Sequence, residues 1–141
     1  MMTRLRSRRS FLQDLALGVA IGPWVTSGVR AVSPNGKLRH ATFGTSGMAG
    51  SDIESLASHK SIEIVAGCDV DERSSAGFRK KFPNAKVYAD FRELLEKEGD
   101  LDSVNVSTPD HMHAPIALMA LKRNLHVYGQ KPLAHDIGEA R

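Results

Sequence analysis

Residues 37–141 alternate between short apolar runs and helix-spaced apolar patterns, and this alternation restricts the fold more than any other feature of the chain. Lys37–Phe43 reads as a strand that enters a glycine-rich turn, after which Ala49, Ile53, Leu56 and Ala57 recur at helical spacing. Ile62–Cys68 is a second, largely apolar strand. Asp71 and Glu72 open the next helix, and Arg79, Lys80 and Lys81 close it before Pro83, which suits both ends of the helix dipole. Lys86–Tyr88 reads as a third strand, and Asp90 as the cap of a helix carrying Phe91, Leu94 and Leu95. Asp102–Ser107 is a fourth strand, and Pro115–Arg123 a helix with Ile116, Met119 and Ala120 inward. Leu125–Tyr128 is a fifth strand, and Ala134–Arg141 begins a further helix. Strands separated by helices run parallel, in a sheet covered on both faces. The expected class is α/β, with a doubly wound parallel sheet.

With 41% hydrophobic and 25% charged residues, the chain can bury one core, and extensive disorder is excluded. Its formal charge of +3 misleads, because Arg4, Arg6, Arg8, Arg9 and Arg30 stand against Asp14 alone within residues 1–31. Residues 32–141 then hold 14 basic against 15 acidic side chains, so the argument for nucleic-acid binding fails. The basic head has another use. Ser7-Arg8-Arg9-Ser10-Phe11-Leu12 precedes an uncharged stretch, Leu15 to Val29, and resembles the twin-arginine export signal of bacteria. That stretch is broken by Gly18, Gly22, Pro23 and Gly28 and falls short of the roughly 18–20 apolar residues of a membrane span. Val29-Arg30-Ala31 offers a cleavage site. The expectation is a twin-arginine signal over 1–31, a linker over 32–36, a domain over 37–141, and a periplasmic protein that engages the export machinery.

Open α/β sheets bind ligands at the carboxyl ends of their strands. Gly44-Thr45-Ser46-Gly47-Met48-Ala49-Gly50 joins the first strand to the first helix. A dinucleotide fold needs a tight turn here, a close backbone approach to the pyrophosphate, and a small residue where helix meets strand. Gly44 suits the turn and Ala49 the packing contact. Ser46 stands where a second glycine is usual, so its Cβ narrows the approach, and either its hydroxyl or the neighbouring Gly47 is expected to compensate. The N–H groups that start the helix, around Gly47 and Met48, then face a phosphate. Asp69 follows 25 residues after Gly44, where a carboxylate bonds the adenosine ribose and repels the 2′-phosphate of NADP. NAD is therefore favoured, with NADP possible because Arg73 offers that phosphate a cation.

Ser107-Thr108-Pro109-Asp110-His111-Met112-His113 follows the fourth strand, and Tyr128-Gly129-Gln130-Lys131-Pro132 the fifth. Together with the glycine turn, Cys68-Asp69-Val70-Asp71 and Tyr88-Ala89-Asp90-Phe91, these segments resemble the N-terminal half of the glucose–fructose oxidoreductase/inositol dehydrogenase (Gfo/Idh/MocA) family. The resemblance covers roughly residues 37–141. It implies a Rossmann-type NAD(P)-binding domain of an oxidoreductase that passes hydride between the cofactor and a sugar, inositol or related polyol. It further implies that Ser107, Thr108 and Pro109 line the cofactor, that His113 lies near the nicotinamide end, and that Lys131 is the active-site lysine. Gln130 stands where the family commonly has Glu; an amide still bonds the nicotinamide ribose but cannot act as a base. In the family a second α/β domain follows, completes the active site and usually builds a homo-oligomer. The expectation is a truncated Rossmann sheet that binds cofactor without turnover.

His111 and His113 are the one pair with ligand-like spacing, and a helix start at Pro115 makes them diverge, so no metal site is expected. Cys68, the single cysteine, excludes an intrachain disulfide and reads as a buried strand-end residue. Two other functions fit part of the pattern. One is an S-adenosylmethionine-dependent methyltransferase, which shares the glycine turn and the acidic strand end but not Lys131-Pro132. The other is a secreted nucleotide-binding scaffold without catalysis.

Overall fold

The computed structural model describes residues 36–141; the export signal expected over 1–31, and the linker up to residue 35, lie outside the described residues. Five strands, β1 (Leu38–Phe43), β2 (Ile62–Cys68), β3 (Lys86–Tyr88), β4 (Ser103–Val106) and β5 (His126–Gly129), form one sheet in the order β3-β2-β1-β4-β5. Every pairing is parallel. The helices are α1 (Met48–Ala57), α2 (Glu72–Lys81), α3 (Phe91–Lys97), α4 (His113–Leu121) and α5 (Ile137–Ala140), with a 3₁₀ turn over Asp110–Met112. The chain steps outward from β1 to β3 and then returns to lay β4 on the other side of β1. This is the Rossmann order, and the reversal opens a crevice between the carboxyl ends of β1 and β4.

As the central strand, β1 is covered on both faces, and Ala41, Thr42 and Phe43 are completely buried. The main apolar cluster joins Phe43, Val104 and Val106 to Leu94, Leu95 and Ile116, and Phe91 meets Phe43 edge to face at 6.5 Å. On β2, a Cβ at Gly67 would lie 2.7 Å from the Phe78 ring, so the absent side chain sets how closely α2 packs. Asp71, Asp90 and Asp136 each accept a backbone N–H at the start of α2, α3 and α5.

The main departure from the sequence reading is at α4, which begins at His113 rather than Pro115. Proline is tolerated as the third helical residue because first-turn N–H groups have no intrahelical partner. The helix also stops at Leu121, and Asn124, with φ of 59°, turns the chain into β5 one residue later than expected. No described helix is long and apolar enough to cross a membrane.

Candidate cofactor site

The carboxyl ends of β1, β2 and β4 open onto a cleft of about 500 Å³, lined in part by Gly44, Ser46, Asp69, Ser107, Thr108 and Pro109. Gly44 has φ of +92°, and a Cβ there would come within 2.5 Å of the Ser107 carbonyl oxygen. No other residue fits between the β1 turn and the end of β4 without moving one of them. The same Cβ would lie 3.0 Å from that of Ala49, which is buried and fills the helix–strand contact. The helix that follows is capped differently from α2, α3 and α5. Its cap is Gly47, no side chain bonds its first N–H groups, and no acid lies in its first turn. Met48 opens the helix with an exposed side chain. The start of α1 therefore offers an anion its positive dipole end and N–H groups that no side chain bonds, while the Gly50 N–H donates to the Gly47 carbonyl oxygen at 3.1 Å.

Asp69 faces the cleft and also locks the turn. Its Oδ2 accepts from the Thr45 backbone N–H at 3.0 Å and from the Thr45 hydroxyl at 2.8 Å, while Oδ1 accepts from the Asp71 N–H at 3.1 Å. A carboxylate has about four acceptor sites, so one remains for a ligand hydroxyl. Asp71 is the α2 cap and pairs with Arg73, whose side chain is 92% exposed and outside the cleft lining. Thr108 contributes a hydroxyl that is buried without a hydrogen-bond partner. Such an orphan is costly unless a ligand completes it. Burial, aided by the charge of Asp69, pushes the Cys68 thiol up to about 12, which keeps it protonated and unreactive.

His113, Gln130 and Lys131 do not line this cleft. His113 is buried, with Nδ1 2.6 Å from the Pro132 carbonyl oxygen and Nε2 2.7 Å from that of Thr108. Both nitrogens thus face backbone, and the ring ties the loop after β5 to the loop after β4. Lys131, which precedes Pro132 across a cis peptide bond, is exposed. Gln130 Nε2 lies 3.0 and 3.2 Å from the two carboxylate oxygens of Asp52 on α1. Sequence reasoning missed both Thr45 and Asp52. The signal for Asp52 was an acid set between Ala49 and Ile53, on the buried stripe of its helix.

Residues 38–141 match the oxidoreductase family GFO_IDH_MocA, defined by its NAD-binding Rossmann fold. The chain belongs to the Gfo/Idh/MocA family. A glycosyl hydrolase family 109 protein of Solibacter usitatus is 33% identical over 150 residues, 94% of this chain and 34% of that protein. An inositol 2-dehydrogenase of Salmonella typhimurium is 38% identical over 91 residues, 62% of this chain and 27% of the enzyme. The crystal structure of a Lactobacillus casei myo-inositol dehydrogenase with NAD(H) and myo-inositol is similar with a TM-score of 0.68 and 30% identity, covering 74% of this chain and 31% of that one. The chain spans about a third of the length of these Gfo/Idh/MocA relatives. The residues present fit NAD: a turn without room for a Cβ and an orphaned hydroxyl line one cleft, and α1 starts directly after that turn, although Gly47, Met48 and Ala49 do not themselves line it.

Proposed function

We propose that this chain is the cofactor-binding part of an NAD-dependent oxidoreductase acting on a sugar, inositol or related polyol. The observation that carries this reading is the α1 start, capped by no side chain, above a Gly44 turn at the crevice between β1 and β4. In this reading the first N–H groups of α1 hold the pyrophosphate. Asp69 accepts from the adenosine ribose and disfavours a 2′-phosphate, while Ser46 and Ser107-Thr108-Pro109 wall the cleft. Gln130 accepts from the nicotinamide ribose. Lys131 brings its ammonium to the substrate hydroxyl and stabilises the alkoxide character that develops as the proton leaves. When bound, NAD supplies the two-electron acceptor. Productive transfer also needs the substrate held at about 3–3.5 Å with water largely excluded, and one exposed lysine does not provide that. The chain alone therefore binds NAD without turning over a polyol.

A glycoside is the second reading for the substrate, favoured by the Solibacter relative, whose similarity extends over 94% of the chain. Export through the twin-arginine route to the periplasm completes the proposal, on the strength of Arg8-Arg9 ahead of a weak apolar stretch. The test is a calorimetric titration of the chain with NAD, NADP and S-adenosylmethionine, alongside a Gly44→Ala variant. NAD binding that is lost in the variant is expected; equal binding by both proteins would refute the cradle. Reduced-nicotinamide absorbance with a panel of inositols and sugars, and aryl-glycoside cleavage, read out turnover, and neither signal is expected from this chain alone.

A further inference from the structure

A hydrogen-bonded line of side chains crosses the sheet from the start of β4 to the loop after β5. Ser103 Oγ lies 2.8 Å from His40 Nδ1, and His40 Nε2 lies 3.1 Å from Asn105 Oδ1. Asn105 Nδ2 reaches Ser107 Oγ at 3.1 Å, Ser107 Oγ reaches Asp52 Oδ2 at 2.6 Å, and Gln130 Nε2 closes on the same carboxylate. The carboxylate sets the direction of every bond, because a carboxylate only accepts. Ser107 must donate to Asp52, so it accepts from the Asn105 amide. Asn105 then turns its oxygen to His40, which donates from Nε2 and accepts at Nδ1 from Ser103. Burial, partly offset by the bond to Asn105, holds the His40 imidazole below its ordinary pKa of 6.5, in keeping with this single-donor form. At the other end Gln130 must turn its NH₂ to Asp52. Its carbonyl oxygen takes no hydrogen bond among the described residues and is the group left for a ligand.

We infer that Asp52 is a positioning residue: its carboxylate orients the Gln130 amide so that position 130, next to Lys131, presents an acceptor to a ligand hydroxyl. This rests on the proposed function for the ligand, a ribose or polyol hydroxyl, but not for the orientation. An acid at position 130 would stand about 3 Å from Asp52, so the amide at 130 and the acid at 52 are a matched pair. Reversing the pair restores the match, because an amide at 52 then donates to an acid at 130.

The test uses the full chain with Asp52→Asn, Gln130→Glu, the double variant and Asp52→Ala. NAD affinity by calorimetry should fall about tenfold in Gln130→Glu near pH 8, and recover most of that loss in the double variant, as for coupled neighbours. Losses that simply multiply in the double variant would overturn the inference. The second readout is free of NAD: the Gln130 side-chain amide protons, followed by NMR, should be shifted and slowed in exchange in the native chain. Asp52→Ala, with native helix and sheet signals retained, should return them to solvent-like values. Unchanged Gln130 amide signals in that variant overturn the orientation even if NAD binds. Shifted signals in a chain that binds no NAD uphold the orientation and defeat the proposed function instead.

Discussion

Asp69→Ala and Asp69→Asn separate the turn lock seen at Thr45 from the ribose contact that the proposed function gives the same carboxylate. The carboxylate accepts three hydrogen bonds, two of them from Thr45, which is only 6% exposed. Truncation leaves the Thr45 N–H and hydroxyl without an acceptor, and each buried unmade donor costs about 1–3 kcal/mol. Water can replace the lost bond at Asp71, which is more open. With some relaxation the sum is about 3 kcal/mol, or a fall in Tm of roughly 12–20 °C for a domain of this size. Asp69→Asn keeps one carbonyl oxygen for Thr45 and should cost about 1 kcal/mol. It also removes the charge that would face a 2′-phosphate, so the preference for NAD over NADP should drop about tenfold, worth ~1.4 kcal/mol. Thermal unfolding by circular dichroism reads the first effect and calorimetric titration with both cofactors the second. An alanine variant that melts within about 2 °C of the parent refutes the turn lock. An asparagine variant with an unchanged NAD:NADP ratio refutes the ribose assignment.

Thr108→Val should leave stability within about 0.5 kcal/mol of the parent or raise it, because the buried hydroxyl it removes has no partner, while the Kd for NAD rises several-fold. A destabilised variant with unchanged NAD affinity would reverse that assignment. His40 supplies a pH dependence. Burial lowers its folded-state pKa from 6.5, so the unfolded chain takes up its proton first on acidification. The stability held by neutral His40 is complete above about pH 6.5 and is lost as the pH falls below it. Tm should therefore fall less in His40→Gln than in the parent between about pH 7.5 and about pH 5, and parallel falls would count against it. Changing Arg8 and Arg9 together to lysine should trap a reporter fusion in the cytoplasm; undiminished export would remove the twin-arginine reading.

The fold was legible because each of its signals is local. Strand runs, helix spacing and the caps at Asp71 and Asp90 are read within a few residues, and the sheet order follows from parallel strands with helical crossovers. The misplaced start of α4 has the same origin: proline at a first helical position is the commoner pattern, and only the 3₁₀ turn at Asp110–Met112 moves the helix start back to His113. The glycine turn was legible for its backbone demands, although the atom that enforces Gly44, the Ser107 carbonyl oxygen, lies 63 residues away in sequence. Nothing local announces it.

The side chains of the candidate site divide along the same line. Asp69, His113 and Gln130 were singled out as groups that meet a ligand, and each is engaged by the protein itself: Asp69 by Thr45, His113 by two carbonyl oxygens, Gln130 by Asp52. These partners sit on other elements, so no spacing rule finds them. The ties also change what the residues can offer. Asp69 has an acceptor site remaining and Gln130 a carbonyl oxygen, whereas both nitrogens of His113 are taken. A residue with every polar atom taken serves a site by holding loops in place, and one with a remaining acceptor can select a donor. On that ground the proposed function assigns the reading of hydroxyls to Asp69 and Gln130, whereas His113 belongs to the frame that brings Thr108 and the Lys131 loop together.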